Sequence, residues 1–303
     1  MNEFNGEKEF SALPRAGKLR LKRSAIRERF RRVNNAFMLG LTGLTTVVGI
    51  VPLVWILLSV FAHGAEVISI RFLTDTFKPT SLGGGGILHA LVGTGILIAL
   101  ASLFSVPLGV LAALYVARNP NTSLGLAVRF GTGVLSGLPS IVVGLFIYTL
   151  WVSGHGYSAL AGGMALAILM LPVIVRTTEE MLRLVPKSLR EASLALGAPE
   201  WKTALKVWLP AAMTGVITGL MLAVARVAGE TAPLLFTALG SNSLSTALDK
   251  PIASLPLTLF KYAVDPSKLR NAQAWAIALI IVTLVLLLNV SARLIATWRS
   301  KMY

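Results

Sequence analysis

The sequence predicts an all-α, polytopic membrane protein with six transmembrane helices, and three observations carry that expectation. Charged residues fill only 14% of the 303 positions, 55% are hydrophobic and mean hydropathy is +0.74, whereas an ordinary soluble domain carries about 25% charged residues. The deficit is gathered into six long runs, 37–62, 87–117, 131–152, 158–175, 211–239 and 272–292, five of them without a single Asp, Glu, Lys or Arg. A helix that crosses a hydrocarbon core needs ~20 mainly apolar residues. The connecting segments then divide by charge: 1–36, 118–130, 176–210 and 293–303 hold 21 Lys and Arg, while 63–86, 153–157 and 240–271 hold 6. Cytoplasmic loops carry such an excess, so both termini are expected in the cytoplasm.

The first run, 37–62, lies behind 36 mostly polar residues and has no small-residue cleavage site, which makes it a retained anchor rather than a signal peptide. The arm before it, with "RAGKLRLKRSAIRERFRR", holds ten of the 28 basic residues. A basic arm directly ahead of a span reads as attraction to anionic lipid and a topology signal, not as a nucleic-acid site. "GGGG" at 83–86 reads as a flexible outer loop before the second run. The third run contains Pro139-Ser140, where the Ser140 hydroxyl either lines a path or bonds back to its own helix. The fourth run ends near Pro172 and Arg176; that arginine is either a cation at an inner mouth or a side chain snorkelling to the surface.

The fifth run carries the least expected residues. "LAVARVAGETAPLLF" puts Arg226 and Glu230 four positions apart near the middle of an otherwise apolar stretch. Insertion scales give a central arginine a penalty of about 2.5–3.5 kcal/mol, so it needs a compensating interaction. On one helix the two share a face and can pair. They are therefore a structural ion pair, or a fixed cation and its tuning carboxylate on an anion path. Gly229 is expected to allow close helix approach and Pro233 to kink the helix beside the pair.

Other chemistry is absent from the sequence. There is no G-x-x-x-x-G-K-[ST] phosphate loop, no H-E-x-x-H and no G-x-S-x-G, and without cysteine there is no disulfide or thiolate metal site. His63, His89 and His155 fall at expected outer helix ends, where an interfacial or solvated ring is the simpler reading. The chain is expected to catalyse no covalent chemistry and to hold no metal or cofactor of its own.

The internal segment 176–210 is more organised than a connector requires. Pro186 stops one helix, Ser188 and Glu191 have capping-box spacing for the next, and Gly197 breaks it before a short helix with Trp201, Leu205 and Trp208. Leu189, Ala192, Leu194, Ala195 and Leu196 offer a small apolar face. Such a hairpin either docks another protein or lies on the inner leaflet.

Its residues carry a resemblance. Glu191-Ala192-Ser193, then Gly197, then Val207 and Leu209-Pro210 resemble the EAA loop, E-A-A-x3-G-x9-I-x-L-P, of type I ABC importer permeases, with Ser193 and Val207 as mild departures. "LSGLPSIVVGLF" at 135–146 and the "ARVAGETAPLLFTALG" stretch are similar to the permeases of phosphate-specific importers, and the ending is closer to one of the two subunits than to the other, PstC. The resemblance implies a MetI-like fold over 87–297 and a coupling loop at 186–210, made by Glu191, Ala192, Ser193, Gly197, Leu209 and Pro210. It implies a substrate path through Arg226, Glu230, Arg176 and Ser140. It also implies a PstC-like second permease, a dimeric PstB-like ATPase that binds ATP and Mg, a PstS-like phosphate-binding protein outside, and a bacterial cytoplasmic (inner) membrane location. A permease for sulfate or molybdate, and an ion-coupled carrier without an ATPase, are the competing readings.

Overall fold

The computed structural model of the protein describes residues 15–300. Of the expected arm at 1–36, residues 1–14 lie outside the described residues. The chain divides into two units, 1–59 and 60–303. The first is formed by most of helix α1 (Arg15–Ala65), which runs from the basic arm through the expected first span without interruption, Pro52 included. Its large apolar side chains, among them Phe37, Leu44, Val51, Trp55 and Leu58, are exposed around its girth, as suits a helix in contact with lipid.

In the second unit a short α2 (Ile70–Thr74) precedes α3 (Leu88–Arg118), α4 (Ser123–Gly137), α5 (Ser140–His155), α6 (Ala159–Leu184), α7 (Lys187–Ala195), α8 (Glu200–Val227), α9 (Ala232–Thr237), α10 (Leu255–Ala263) and α11 (Lys268–Ser300). Helix α6 is the hub, because 67% of its apolar window is buried against 28% for α3 and for α8. It packs on α3, α8, α4, α5 and α9. Small residues make the close approach possible: a Cβ on Gly109 of α3 would lie 2.7 Å from Ile174 of α6, and one on Gly219 of α8 would lie 2.4 Å from Thr177. Leu97, Leu100, Leu166, Met170, Ile174, Ala223, Val227 and Leu234 form the central core. Hydroxyl caps set helix starts, with Thr122, Ser158 and Ser254 accepting from Gly125, Ala161 and Leu257 N–H groups.

Two expected spans are interrupted. The run 131–152 is split between α4 and α5 by a 104° bend, with Leu138 and Pro139 extended at ψ 134°. A residue before proline avoids the helical region, and Leu138 terminates α4 for that reason. Among the described residues there are thus five continuous spans, and six when the bent pair counts as one. The run 211–239 is helical only to Val227, with α9 starting afresh at Ala232. Pro233 sits in the first turn of α9, where its missing N–H costs nothing, so it starts a helix instead of kinking one.

The outer side departs from expectation too. Gly83, Gly84 and Gly85 have φ of 81°, 78° and 64°, a backbone that suits glycine, but this segment is clamped rather than loose. Arg270, 3% exposed, donates to Gly84 O (2.9 Å), Lys78 O (2.6 Å) and Gln273 Oε1 (2.8 Å), and Gln273 donates to Gly85 O (3.2 Å). The guanidinium lies 4.4 Å from both the Phe77 and Tyr262 rings. Burial pushes the Tyr262 phenol up, against the opposing pull of the Arg270 charge. His89 is buried, with Nδ1 unpartnered, rather than solvated, while His63 and His155 stack on Trp275 and Trp151 at 5.0 and 4.4 Å.

Candidate functional site

The first group of candidate residues lies at the two helix breaks. Arg226 is in the last turn of α8 and exposed; it is not at the middle of a continuous helix. By helical rise it stands about 26 Å beyond Leu209. Glu230 is half-buried past the helix end, its N–H donating to Val227 O at 3.1 Å. The expected pair is not formed, since neither residue takes part in an ion pair among the described residues. The reason is local: once α8 stops at Val227, a spacing of four no longer places two side chains on one helical face. A cation at a helix C-terminus is instead favoured by the backbone dipoles.

The segment just after Glu230 meets the other break. A Cβ on Gly144 of α5 would lie 2.6 Å from Pro233 Cα, so α5 and α9 touch backbone to backbone. Gly144, not Gly229, makes the close approach, because only Arg226 O lies within 4 Å of a Cβ on Gly229. Ser140 is half-buried at the start of α5, one turn before this contact. Behind Glu230, towards Thr94, Leu166 and Ser254, only about 10 Å³ of space remains, so the chain is packed shut on that side.

Arg176 belongs to a second group. It lies inside α6, which continues to Leu184, and its Nε donates to Glu180 Oε1 at 3.3 Å with 76% of the side chain exposed. Beside it the structure assembles residues that sequence reasoning passed over. Glu179, 11% exposed in its side chain, accepts on Oε1 from Arg129 Nη2 (2.6 Å) and Nε (3.0 Å), and the same oxygen forms an ion pair with Arg183 Nη2 at 2.7 Å. Arg129 had counted only as a topology charge. The i,i+4 spacings Arg176/Glu180 and Glu179/Arg183 in "RTTEEMLR" were the available signal.

The third group is the hairpin formed by α7 and the start of α8. Pro186 occupies the N-cap of α7 and no side chain caps it, so the expected Ser188/Glu191 capping box is not formed. Gly197 turns the chain at φ +79° in open space. Ser193 Oγ and Thr203 Oγ1 are 2.9 Å apart across the turn. Glu191, Ala192, Leu189 and Leu196 are exposed, the last at 89%. Below them the hairpin is fixed to the helix ends: Trp208 Nε1 donates to Leu182 O (2.9 Å), the Arg190 guanidinium lies 5.5 Å from the Trp208 ring, and Glu200 pairs with Arg118 of α3. Leu209 and Pro210 continue this base into the span after a wide turn at Ala204–Trp208. The outward face of the hairpin is exposed and its inner face is anchored. No group of three or more His, Asp or Glu residues that could hold a metal occurs among the described residues.

An all-helical bundle with a protruding hairpin and charged residues at a helix break suits a membrane transport component. Residues 105–301 match the family described as "Binding-protein-dependent transport system inner membrane component". "Phosphate transport system permease protein PstA" of Yersinia pestis is 44% identical over 271 residues, covering 89% of this chain and 92% of that protein. PstA of Haemophilus influenzae is 42% identical over 88% of this chain and 94% of its own length. PstA 1 of Mycobacterium tuberculosis (strain ATCC 25618 / H37Rv) is 38% identical over 90% and 91%. An inward-facing structure of the MetNI methionine ABC transporter aligns with TM-score 0.55 and 23% identity over 70% of this chain and 93% of that one, in keeping with the expected MetI-like fold. The chain belongs to this family of inner-membrane permeases, and within it to the PstA group.

Proposed function

We propose that the chain is the PstA-type permease subunit of an ATP-driven phosphate importer in the bacterial cytoplasmic membrane, forming half of the translocation path. The observation that carries this reading is the meeting of two interrupted helices at Gly144 and Pro233, with Ser140, Arg226 and Glu230 beside the interruptions. Non-helical backbone at membrane depth is tolerated where it is buried in protein or lines a water-filled cavity, and interrupted helices form ion and substrate sites in other transporters. Arg226 is the fixed cation that an anion meets. Glu230 accepts the O–H of protonated phosphate, which sulfate lacks at neutral pH, and limits how tightly the anion is held. Ser140 lines the same stretch and Arg176 serves the inner mouth.

An importer permease works with an ATPase and a binding protein. Here the partners are a PstC-like permease, which completes the path, a dimeric PstB-like ATPase beneath the hairpin, and a PstS-like binding protein outside; ATP and Mg bind to the ATPase. Both termini, 118–130 and 176–210 face the cytoplasm. ATP binding closes the ATPase, moves the hairpin through Glu191, Ala192, Ser193 and Gly197, and opens the path outward; hydrolysis resets it. ATP-dependent uptake of phosphate by the reconstituted complex, with sulfate and molybdate as competitors, tests the proposal. Uptake that needs no ATP, or that prefers either competitor, rejects it.

A further inference from the structure

Between α4 and α6, next to the hairpin, lies a cavity of about 360 Å³ lined by Arg129, Thr132, Ser136, Arg176, Glu179 and Arg183. That is far more than the ~10–15 Å³ one water needs. Three guanidiniums face it against the carboxylates of Glu179 and Glu180, so one positive charge is left over. The arginines are held from behind. Arg129 donates to Oε1 of the nearly buried Glu179 and Arg183 forms an ion pair with the same oxygen, while Arg129 Nη1 also donates to Pro120 O at 3.2 Å. A guanidinium has five N–H groups. The hydrogen bonds engage three on Arg129 and one on Arg176, leaving N–H groups on all three arginines for another acceptor. Ion pairs made only for packing need no open polar space among them.

Arg183 has a second address. It also lines a cavity of about 210 Å³ behind α7, with Lys187, Arg190 and Trp208. Only Leu184, Val185 and Pro186 separate it from α7, so a shift of the docking hairpin reaches this guanidinium directly.

We propose that the larger cavity is a holding station for a phosphate group at the inner end of the path. Arg129, Arg176 and Arg183 receive the anion, and Glu179 is the positioning residue that keeps two of them oriented when the station is empty. The planar forks of arginine suit bidentate contact with phosphate oxygens. Because Glu179 competes for the same guanidiniums, the anion is held loosely, and displacement of Arg183 by the hairpin releases it. This inference rests on the phosphate-import reading and adds a site to it.

The phosphate of a lipid headgroup has the same chemistry, so the test separates the two sources. The chain has no cysteine, and Ser136 is exposed at the cavity wall. In the complete transporter, alkylation of a Ser136→Cys variant is followed on this chain with inorganic phosphate added, and separately with phosphatidylglycerol vesicles. Phosphate is expected to slow alkylation severalfold, also in an Arg226→Gln background. Arg129→Gln and Arg183→Gln are expected to abolish protection and to lower uptake about tenfold or more, as loss of a charge-assisted contact does. Glu179→Gln is expected to strengthen protection while slowing uptake, a combination that a purely structural role does not produce. A wild-type complex that imports phosphate while labelling is indifferent to it overturns the station, as does protection by the vesicles alone. A wild-type complex that imports no phosphate overturns the import reading itself, and the station with it.

Discussion

Arg226 and Arg270 show how differently one residue type is used in this chain. Arg270 is buried among three oxygen acceptors and two aromatic rings, so its charge is satisfied in place. Truncation to leucine leaves the carbonyl of Lys78 unpaired and that of Gly84 with only the Lys78 N–H at 3.4 Å, and hydrogen bonds to a charged group contribute about 1.5–3 kcal/mol each. Arg270→Leu should therefore lower the thermal stability of the purified complex by several kcal/mol, and Arg270→Lys should recover little, since an ammonium cannot bridge the same acceptors. A melting temperature unchanged in both variants would contradict the clamp. Among the described residues Arg226 has no such partners, which is why a transport role suits it. Arg226→Gln should abolish phosphate uptake with assembly intact, Arg226→Lys should restore part, and Glu230→Gln should assemble normally but shift release or the preference for phosphate over sulfate. If an Arg226→Leu/Glu230→Leu complex transports at the wild-type rate, the two residues are not on the path. The sequence made Arg226 conspicuous because it interrupts an apolar run. Arg270 was hidden because it stands in a stretch that reads as outer loop, and only the fold brings the glycine segment 186 positions away to it.

Among elements, the hairpin was legible and the interruptions were not. Glu191, Gly197 and Leu209-Pro210 are residue types at fixed spacing, and a turn that needs positive φ leaves a glycine in the sequence. The breaks at Leu138–Pro139 and after Val227 fall inside stretches whose apolar character is the same on both sides. A proline or glycine there is compatible with a kink or a stop, and in the fold both are stops, with α5 and α9 meeting at Gly144 and Pro233. The capping-box spacing of Ser188 misled for a related reason, because Pro186 already occupied the start of α7. Gly197 gives the sharpest prediction for this element. A non-glycine residue in the left-handed region costs about 1–2 kcal/mol, yet nothing crowds the position. Gly197→Leu should thus misorient the hairpin without unfolding the bundle. The variant is expected in the membrane at normal abundance, with ATP-driven uptake collapsed, and Glu191→Ala should behave likewise. Full uptake by both would show that the hairpin does not couple the ATPase.

At the scale of the whole molecule the proposed orientation rests on charge. Of the six basic residues assigned outside, Arg270 is buried and Lys78 pairs with Asp75 at 2.8 Å, so neither offers a free charge to the outer surface. The opposite end keeps a surplus: Lys187, Lys202 and Lys206 lie exposed and outside the ion pairs among the described residues. An orientation that buries this surplus in the translocated loops would oppose the excess of Lys and Arg that cytoplasmic loops retain. In the proposed orientation the anchored hairpin, the arginine cavity and the inner end of α6 would face the ATPase, and the clamped glycine segment would face the binding protein. Cysteine scanning can test this without background, because the chain contains none. Ser243→Cys, in the exposed segment between α9 and α10, should react with a membrane-impermeant thiol reagent in intact spheroplasts. Ser188→Cys, exposed on α7, should react only in inverted vesicles. Reaction of Ser243→Cys from the cytoplasmic side alone would invert the molecule, separate the hairpin from any cytoplasmic ATPase, and remove the basis for coupled import.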